Sequence, residues 1–231
     1  ENGGEEEEAK PQEQIFLNIA TGGTAGTYYP LGGALSEIWN KNIPGVNSTA
    51  QSTGASVANI NLLKEGKADI IMVQNDITYY AANGVELFEE KYEDIRGLAI
   101  LYPETVQLVT LANKGINSVA DLKGKRVAVG AAGSGAEANA RQILNAAGIT
   151  YDDITEQYLS FAEASNNLKD GNVDAAFLTA GFPTAAVTDI AAQHNLQLIS
   201  LDDDLIEKLM NEYPYYTKIT IPAGTYSGVD E

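Results

Sequence analysis

The feature that most constrains this chain is a unit that recurs along it: a short apolar run, a turn rich in glycine, then a helically spaced segment. Ile15-Phe16-Leu17-Asn18-Ile19-Ala20 ends in Thr21-Gly22-Gly23. From Tyr28 to Asn42, Leu31, Leu35 and Ile38 with Trp39 recur at helical spacing, and Pro30 falls in the first turn, where its missing N–H costs nothing. Val46–Ser52 reads as a strand, with Thr53-Gly54 and Ala55-Ser56 opening a helix that Gly66 caps. Asp69–Val73 is then nearly continuous in apolar residues, as in a strand covered on both faces. A second block has the same grammar. It runs from Arg126-Val127-Ala128-Val129 through Gly130–Gly135 to a helix over Ala136–Ala147 capped by Gly148, with further helix-to-strand units over Ala162–Leu178 and Thr184–Ser200. Strands alternating with helices predict an α/β fold.

The two blocks also resemble one another. Asn61-Leu62-Leu63-Lys64-Glu65-Gly66-Lys67-Ala68-Asp69-Ile70 aligns with Asn166-Asn167-Leu168-Lys169-Asp170-Gly171-Asn172-Val173-Asp174-Ala175. Two similar α/β lobes are expected, with Gln107–Asn113 as an extended crossover between them.

Composition narrows the function classes. The chain has 231 residues and a formal net charge of −18, so nucleic acid and anionic lipid are set aside as partners. An acidic surface does not draw in an anionic ligand either, so any anion site must be local and built from backbone N–H groups. There are no cysteines and one histidine, His194, which reads as a solvated turn residue. Disulfides, thiolate metal sites and histidine clusters are thereby excluded, and neither metal nor cofactor is expected. No apolar run reaches the ~18 residues of a membrane span, and no signal peptide is visible. The Glu-rich start, residues 1–14, reads either as a flexible tether to something upstream or as an arbitrary solvated end.

Open α/β sheets bind ligands at the carboxyl ends of their strands. Here those ends are small and polar: Thr21–Thr27, Ser52-Thr53-Gly54, Gln74-Asn75-Asp76, Gly133-Ser134-Gly135 and Thr179-Ala180-Gly181. Where such an end opens a helix, free N–H groups and the helix dipole favour a carboxylate or phosphate. Thr24, Gly26, Thr27, Ser52, Gly54, Ser56, Ser134 and Gly135 are therefore candidates to hold anionic groups, while Gln74, Asp76 and Glu104 are candidates to meet an amino group. Tyr28 and Tyr102 are cleft-facing aromatic candidates. Tyr102-Pro103-Glu104 is expected to follow a strand at Leu98–Leu101, and Gly181 and Phe182 to border the site. Gly133–Ala138 also fits the dinucleotide pattern G-x-G-x-x-A, with Glu156 as its ribose-binding acid, which keeps a nucleotide-dependent oxidoreductase open as an alternative. No Walker lysine and no G-x-S-x-G elbow accompany these loops.

Taken together, several of these stretches resemble the TAXI family, the TRAP-associated extracytoplasmic solute receptors. They are Ile19–Pro30, Ser52–Ile60, Gln74-Asn75-Asp76, Leu101–Glu104, Asp121–Val127, Gly133–Glu137 and Ile221–Tyr226. The resemblance implies a type II periplasmic-binding-protein fold whose lobes close on a ligand. It implies a glutamate-, glutamine- or dicarboxylate-like solute, delivered to a TRAP permease driven by a sodium gradient. It also implies a monomer outside the cytoplasm, tethered as a lipoprotein, with no catalytic residues. Family members continue past Gly224-Thr225-Tyr226 by further helices and a strand that complete the first lobe. The resulting expectation is a tether over residues 1–14, lobe one over 15–110, lobe two over 111–220, and a return crossover toward lobe one over 221–231. A surface protein with a vestigial cleft is the third reading, and it predicts no small-molecule binding.

Overall fold

The computed structural model describes residues 14–229. The tether expected over residues 1–14 lies outside them, except for Gln14. The chain forms two sheets. In the first, β1 (Ile15–Ala20) is flanked by β2 (Val46–Gln51) and β3 (Ile70–Ile71), all parallel, in the order β2-β1-β3. The helices α1 (Tyr28–Asn42), α2 (Ser56–Lys64) and α3 (Asn75–Asn83) each begin just after one of these strands. Every strand of this sheet therefore aims its carboxyl end at a helix N-terminus, the arrangement that brings polar turns together at one edge.

The second sheet has five strands, β6-β5-β7-β4-β8. They are β4 (Thr105–Leu111), β5 (Arg126–Ala128), β6 (Thr155–Gln157), β7 (Ala175–Ala180) and β8 (Leu196–Leu198). β5 runs parallel to β6 and β7, while β4 runs antiparallel to both β7 and β8. All six residues of β7 are buried, because helices cover both faces of the sheet. On one side α4 (Gly135–Ala146) and α7 (Asp203–Glu212) enclose a core around Phe177, Ile143, Leu144, Leu205 and Leu209; on the other, α5 (Phe161–Lys169) and α6 (Ala185–Gln193) enclose Leu168, Val187, Ile190 and Leu178.

The internal repeat is real in three dimensions. α2 and α5 end alike, with Gly66 at φ +68° and Gly171 at φ +75°, a backbone region that favours glycine. Lys67 and Ala68 N–H both donate to Leu62 O, as Asn172 and Val173 N–H do to Asn167 O. The following aspartates then repeat one task. Asp69 accepts from Asn18 N–H of β1 at 2.8 Å, and Asp174 accepts from Arg126 N–H of β5 at 3.0 Å. Each stitches the entry of one strand to its neighbour.

Two expectations change. Gln107–Leu111, expected as a crossover, lies in β4 and is built into the second sheet on both sides. Leu98–Leu101 is not a strand: it has no pairing partner among the described residues, and Ile100 is fully exposed. A strand exists only where its N–H and C=O groups find a ladder. Ile221, Tyr226 and Val229, in the segment expected as a return crossover, pack on the core of the second sheet. The Tyr226 hydroxyl donates to Gln107 Oε1 of β4 at 2.5 Å and accepts from Thr184 N–H at 3.0 Å.

Candidate functional site

The polar strand ends of the two sheets face each other across a cleft of about 550 Å3, part of it open to solvent. From the first sheet its wall takes Gly22, Gly23, Gly26, Thr27 and Tyr28 after β1, Thr53, Gly54 and Ala55 after β2, and Gln74 after β3. From the second it takes Ala131, Ser134 and Ala136 around the start of α4, Ser160 and Phe161 at the start of α5, and Thr179 and Ala180 at the end of β7. Tyr102 and Glu104 enter from the segment leading into β4.

Of the residues expected at the site, Gly26, Thr27, Tyr28, Gly54, Gln74, Tyr102, Glu104 and Ser134 lie in this wall. The others lie behind it or outside it. Thr24 is exposed. Ser52 Oγ donates to Gly22 O at 2.9 Å, tying β2 to the turn after β1. Ser56 is fully buried and accepts from Gln74 N–H. Gly181 N–H donates to Thr27 Oγ1 at 3.1 Å across the cleft, and Phe182 packs on the core beneath α6.

Asp76 serves the lobe interface rather than the cleft wall. Its Oδ1 accepts from Ile77 N–H and its Oδ2 from Asn139 Nδ2 of α4 at 2.9 Å. Burial pushes its carboxyl above the usual range, against the pull of these donors. Asn139 is the hub of a network between the lobes. Its Oδ1 accepts from Gln74 Nε2 at 2.8 Å and from Thr179 Oγ1 at 3.0 Å, and its Nδ2 also donates to the Tyr216 hydroxyl. Tyr216 in turn donates to Gln142 Oε1, and Gln142 Nε2 donates to the Tyr80 hydroxyl of α3. Gly135 belongs to the same contact: a Cβ there would sit 2.0 Å from Gln74 Oε1, so only glycine lets Gln74 pass.

The N-terminus of α2 was expected to hold an anion. In the structure the N–H groups of Val57 and Ala58 donate instead to Gly133 O of the opposite lobe, at 3.1 and 3.2 Å. The starts of α1, α4 and α5 remain as helix ends in the wall. Ser134 Oγ accepts from Glu137 N–H at 3.2 Å, a helix cap that leaves its own hydroxyl proton free to donate.

Glu104 and its two tyrosines form the strongest electrostatic feature. The Tyr102 hydroxyl donates to Glu104 Oε1 at 2.7 Å. The Tyr28 hydroxyl is buried without a hydrogen-bond partner; Ser56 and Glu104 are its polar neighbours, outside bonding geometry. The two rings meet edge to face at 6.4 Å. Among the described residues no lysine, arginine or histidine lines the cleft. Burial pushes the Glu104 carboxyl up to about 7, with the tyrosine hydroxyls opposing and Asp76 adding to the rise. Burial also raises both tyrosines, so they stay neutral donors.

The dinucleotide reading fails on geometry. Gly133 O is taken by α2, Gln74 lies against Gly135, and Ala138 is buried against Ile60, Ile77 and Tyr80. The face a pyrophosphate would need is covered by the first lobe. Glu156 is the middle residue of β6 rather than lying at its carboxyl end.

Sequence reasoning missed Phe161, whose ring lies 3.4 Å from the position a Cβ on Gly26 would take, and Ala55, whose φ of +72° is strained for a non-glycine residue. The internal repeat carried a signal for Phe161. Moving from the first block to the second at the spacing that aligns Leu63 with Leu168 carries Ser56, the first residue of α2, onto Phe161, the first residue of α5.

Residues 19–231 match the model of the NMT1-like family. The chain belongs to that family. Solved structures add the architecture around this NMT1-like cleft. The alkanesulfonate-binding protein from Xanthomonas axonopodis pv. citri, bound to MOPS, is similar at 21% identity and a TM-score of 0.55 over 81% of this chain and 61% of that one. A putative L-cystine ABC transporter protein from Listeria monocytogenes is similar at 19% identity and a TM-score of 0.55, over 87% of this chain and 92% of that one. An ancestral arginine-binding protein bound to arginine is similar at 20% identity and a TM-score of 0.55, over 87% and 94%. The NMT1-like chain thus has the two-lobed, type II periplasmic-binding-protein fold. It spans about three fifths of the length of the alkanesulfonate-binding protein it matches. Among the described residues no helix is long and apolar enough to cross a membrane.

Proposed function

We propose that this NMT1-like chain is the ligand-capturing receptor of an extracytoplasmic uptake system, and that it takes a small amino acid of the glutamate or glutamine type without covalent chemistry. The observation that carries this reading is the charge pattern of the cleft: one buried carboxyl, Glu104, two neutral tyrosine donors, and, among the described residues, no cationic side chain in the wall. A ligand that presents an ammonium to Glu104 supplies the missing positive charge. Its carboxylate is then directed to the starts of α1 and α4, near Thr27 and Ser134, where helix dipoles and hydroxyls favour an anion. Gln74 serves as donor or acceptor beside them. A dicarboxylate without an amino group offers Glu104 no cation to pair with, so the amino acid is favoured over succinate or 2-oxoglutarate. The motif resemblance to TRAP-associated receptors supports delivery to a TRAP permease, and the fold supports lobe closure around the solute as the signal to it.

The test is a calorimetric and thermal-shift panel of L-glutamate, L-glutamine, 2-oxoglutarate, succinate, NAD and NADP. Ligand at one hundred times its Kd adds about 2.7 kcal/mol of stability. The expected result is a shift with one or both amino acids and none with the nucleotides. Succinate binding as tightly as glutamate would remove the role given to Glu104. A response to NAD or NADP alone would overturn the receptor reading, and silence from every compound would favour a vestigial cleft.

A further inference from the structure

Glu104 stands where the chain enters β4, so its backbone is fixed by the ladder that begins at Thr105. It lines both the cleft and a second, larger groove. The groups around it can be enumerated. Tyr102 donates to it from its own segment, Tyr28 approaches from α1, and Asp76 adds negative charge from α3. On the groove side the one cation among the described residues is Lys218, already paired with Asp203 Oδ1 at 2.5 Å. An ionised Glu104 would thus hold a buried negative charge with one bonded donor and no counter-ion, an arrangement that favours the neutral acid. The Tyr28 hydroxyl beside it is also buried without a hydrogen-bond partner.

We propose that ligand capture here is linked to a proton: in mildly acidic solution the empty cleft holds Glu104 as the neutral acid, and an ammonium-bearing ligand seats against it as the carboxyl ionises, so that capture there releases one proton to solvent. This rests on the amino-acid reading given above. In balance, a neutral carboxyl and a ligand ammonium become a carboxylate–ammonium pair plus a solvent proton, with no other bond made or broken. Burial pushes the empty-state carboxyl up to about 7, and the paired ammonium lowers it in the complex. Affinity is therefore flat above that value and falls with acidification below it, by about tenfold per pH unit, until the carboxyl of the complex also begins to protonate. The cleft would hold its solute at neutral pH and release it in acid.

L-Glutamine is the probe of choice, because its side chain does not titrate. Titration calorimetry at pH 6 in two buffers of different ionisation enthalpy is expected to show close to one proton released per ligand bound, and Kd is expected to rise about tenfold from pH 6.5 to 5.5. Glu104→Gln is expected to bind more weakly at pH 8 and to lose the pH dependence. A wild-type Kd that is constant from pH 5.5 to 8, with no buffer-dependent heat, overturns the proton link while leaving the ligand class standing. A ligand-free measurement decides the case even if neither glutamine nor glutamate binds. Carboxyl 13C NMR of the glutamate-labelled protein, assigned by the signal lost in Glu104→Gln, is expected to give a midpoint near neutrality, moved higher in Tyr102→Phe. A midpoint in the ordinary carboxylate range overturns the proposal outright.

Discussion

Gly135→Ala tests whether the network around Asn139 holds the lobes together. An alanine Cβ would lie 2.0 Å from Gln74 Oε1 and 2.4 Å from Gln74 Cδ, closer than real contacts allow. The Gln74 amide is the part free to move, so it swings away and breaks its 2.8 Å bond to Asn139 Oδ1 and its 3.4 Å contact with Asp76 Oδ1. Asn139 Oδ1 keeps Thr179 as a donor, so it is not orphaned. The loss is then one good and one weak hydrogen bond, about 1–2 kcal/mol, charged only to the state in which the lobes touch. That shifts the open-to-closed ratio by roughly 5- to 30-fold. The open state escapes the penalty, and alanine gains up to about 1 kcal/mol over glycine in a helix, so overall thermal stability should barely fall. With no native cysteine, spin labels on cysteines placed at exposed Glu37 of α1 and Glu207 of α7 report the lobe separation directly. The expected result is a longer, broader distance distribution and a weaker apparent affinity at a nearly unchanged melting temperature. An unchanged distribution with Kd within twofold of wild type would refute the claim that Gln74 and Asn139 hold closure.

Other substitutions probe separate parts of the molecule. Ser134→Ala removes the cap on α4 and is expected to lower stability by about 1 kcal/mol, seen as a melting temperature lower by roughly 2–4 °C, together with weaker ligand binding. Asp174→Asn weakens the contacts to Arg126 and Lys114 that hold its carboxyl well below the usual range. A depressed folded-state value stabilises above the unfolded carboxylate range and is lost as pH falls through the folded value, so the variant should be less stable by about 1–2 kcal/mol in urea melts at pH 7, with the gap closing in strong acid. Tyr226→Phe leaves Gln107 Oε1 and Thr184 N–H without their shared partner and is expected to cost about 1–3 kcal/mol in the same melts.

Much of the fold could be read from local chemistry. α1 spans Tyr28–Asn42 as its periodicity predicts, and Gly66 and Gly171 end their helices in the left-handed conformation their matched surroundings imply. The repeat also held a detail that only coordinates reveal, that Asp69 and Asp174 bond the same relative position of the neighbouring strand. What was illegible is non-local. β4 pairs with β7 and β8, dozens of residues away, and nothing in Thr105–Leu111 itself distinguishes a sheet strand from a crossover. Leu98–Leu101 looks like a strand because it is apolar, yet apolarity does not supply a ladder.

The site shows the same limit at finer grain. Small polar residues at strand ends face two demands in a two-lobed protein, the solute and the opposing lobe, and both call for the same chemistry. Ser52 and Thr53 are neighbours of one type, but only Thr53 is in the cleft wall, while the hydroxyl of Ser52 closes the turn at Gly22. Asp76 and Glu104 both read as partners for an ammonium. Asp76 accepts from Asn139 and Ile77 and so is already committed to the interface, whereas among the described residues Glu104 accepts only from Tyr102 and has no cation within the cleft. The difference lies in which groups are satisfied once the lobes meet, a property of the assembled hydrogen-bond network and not of residue type. A residue left short of partners in that network is the better candidate for meeting the ligand, and by that criterion Glu104 and Tyr28 precede every other polar group in the cleft.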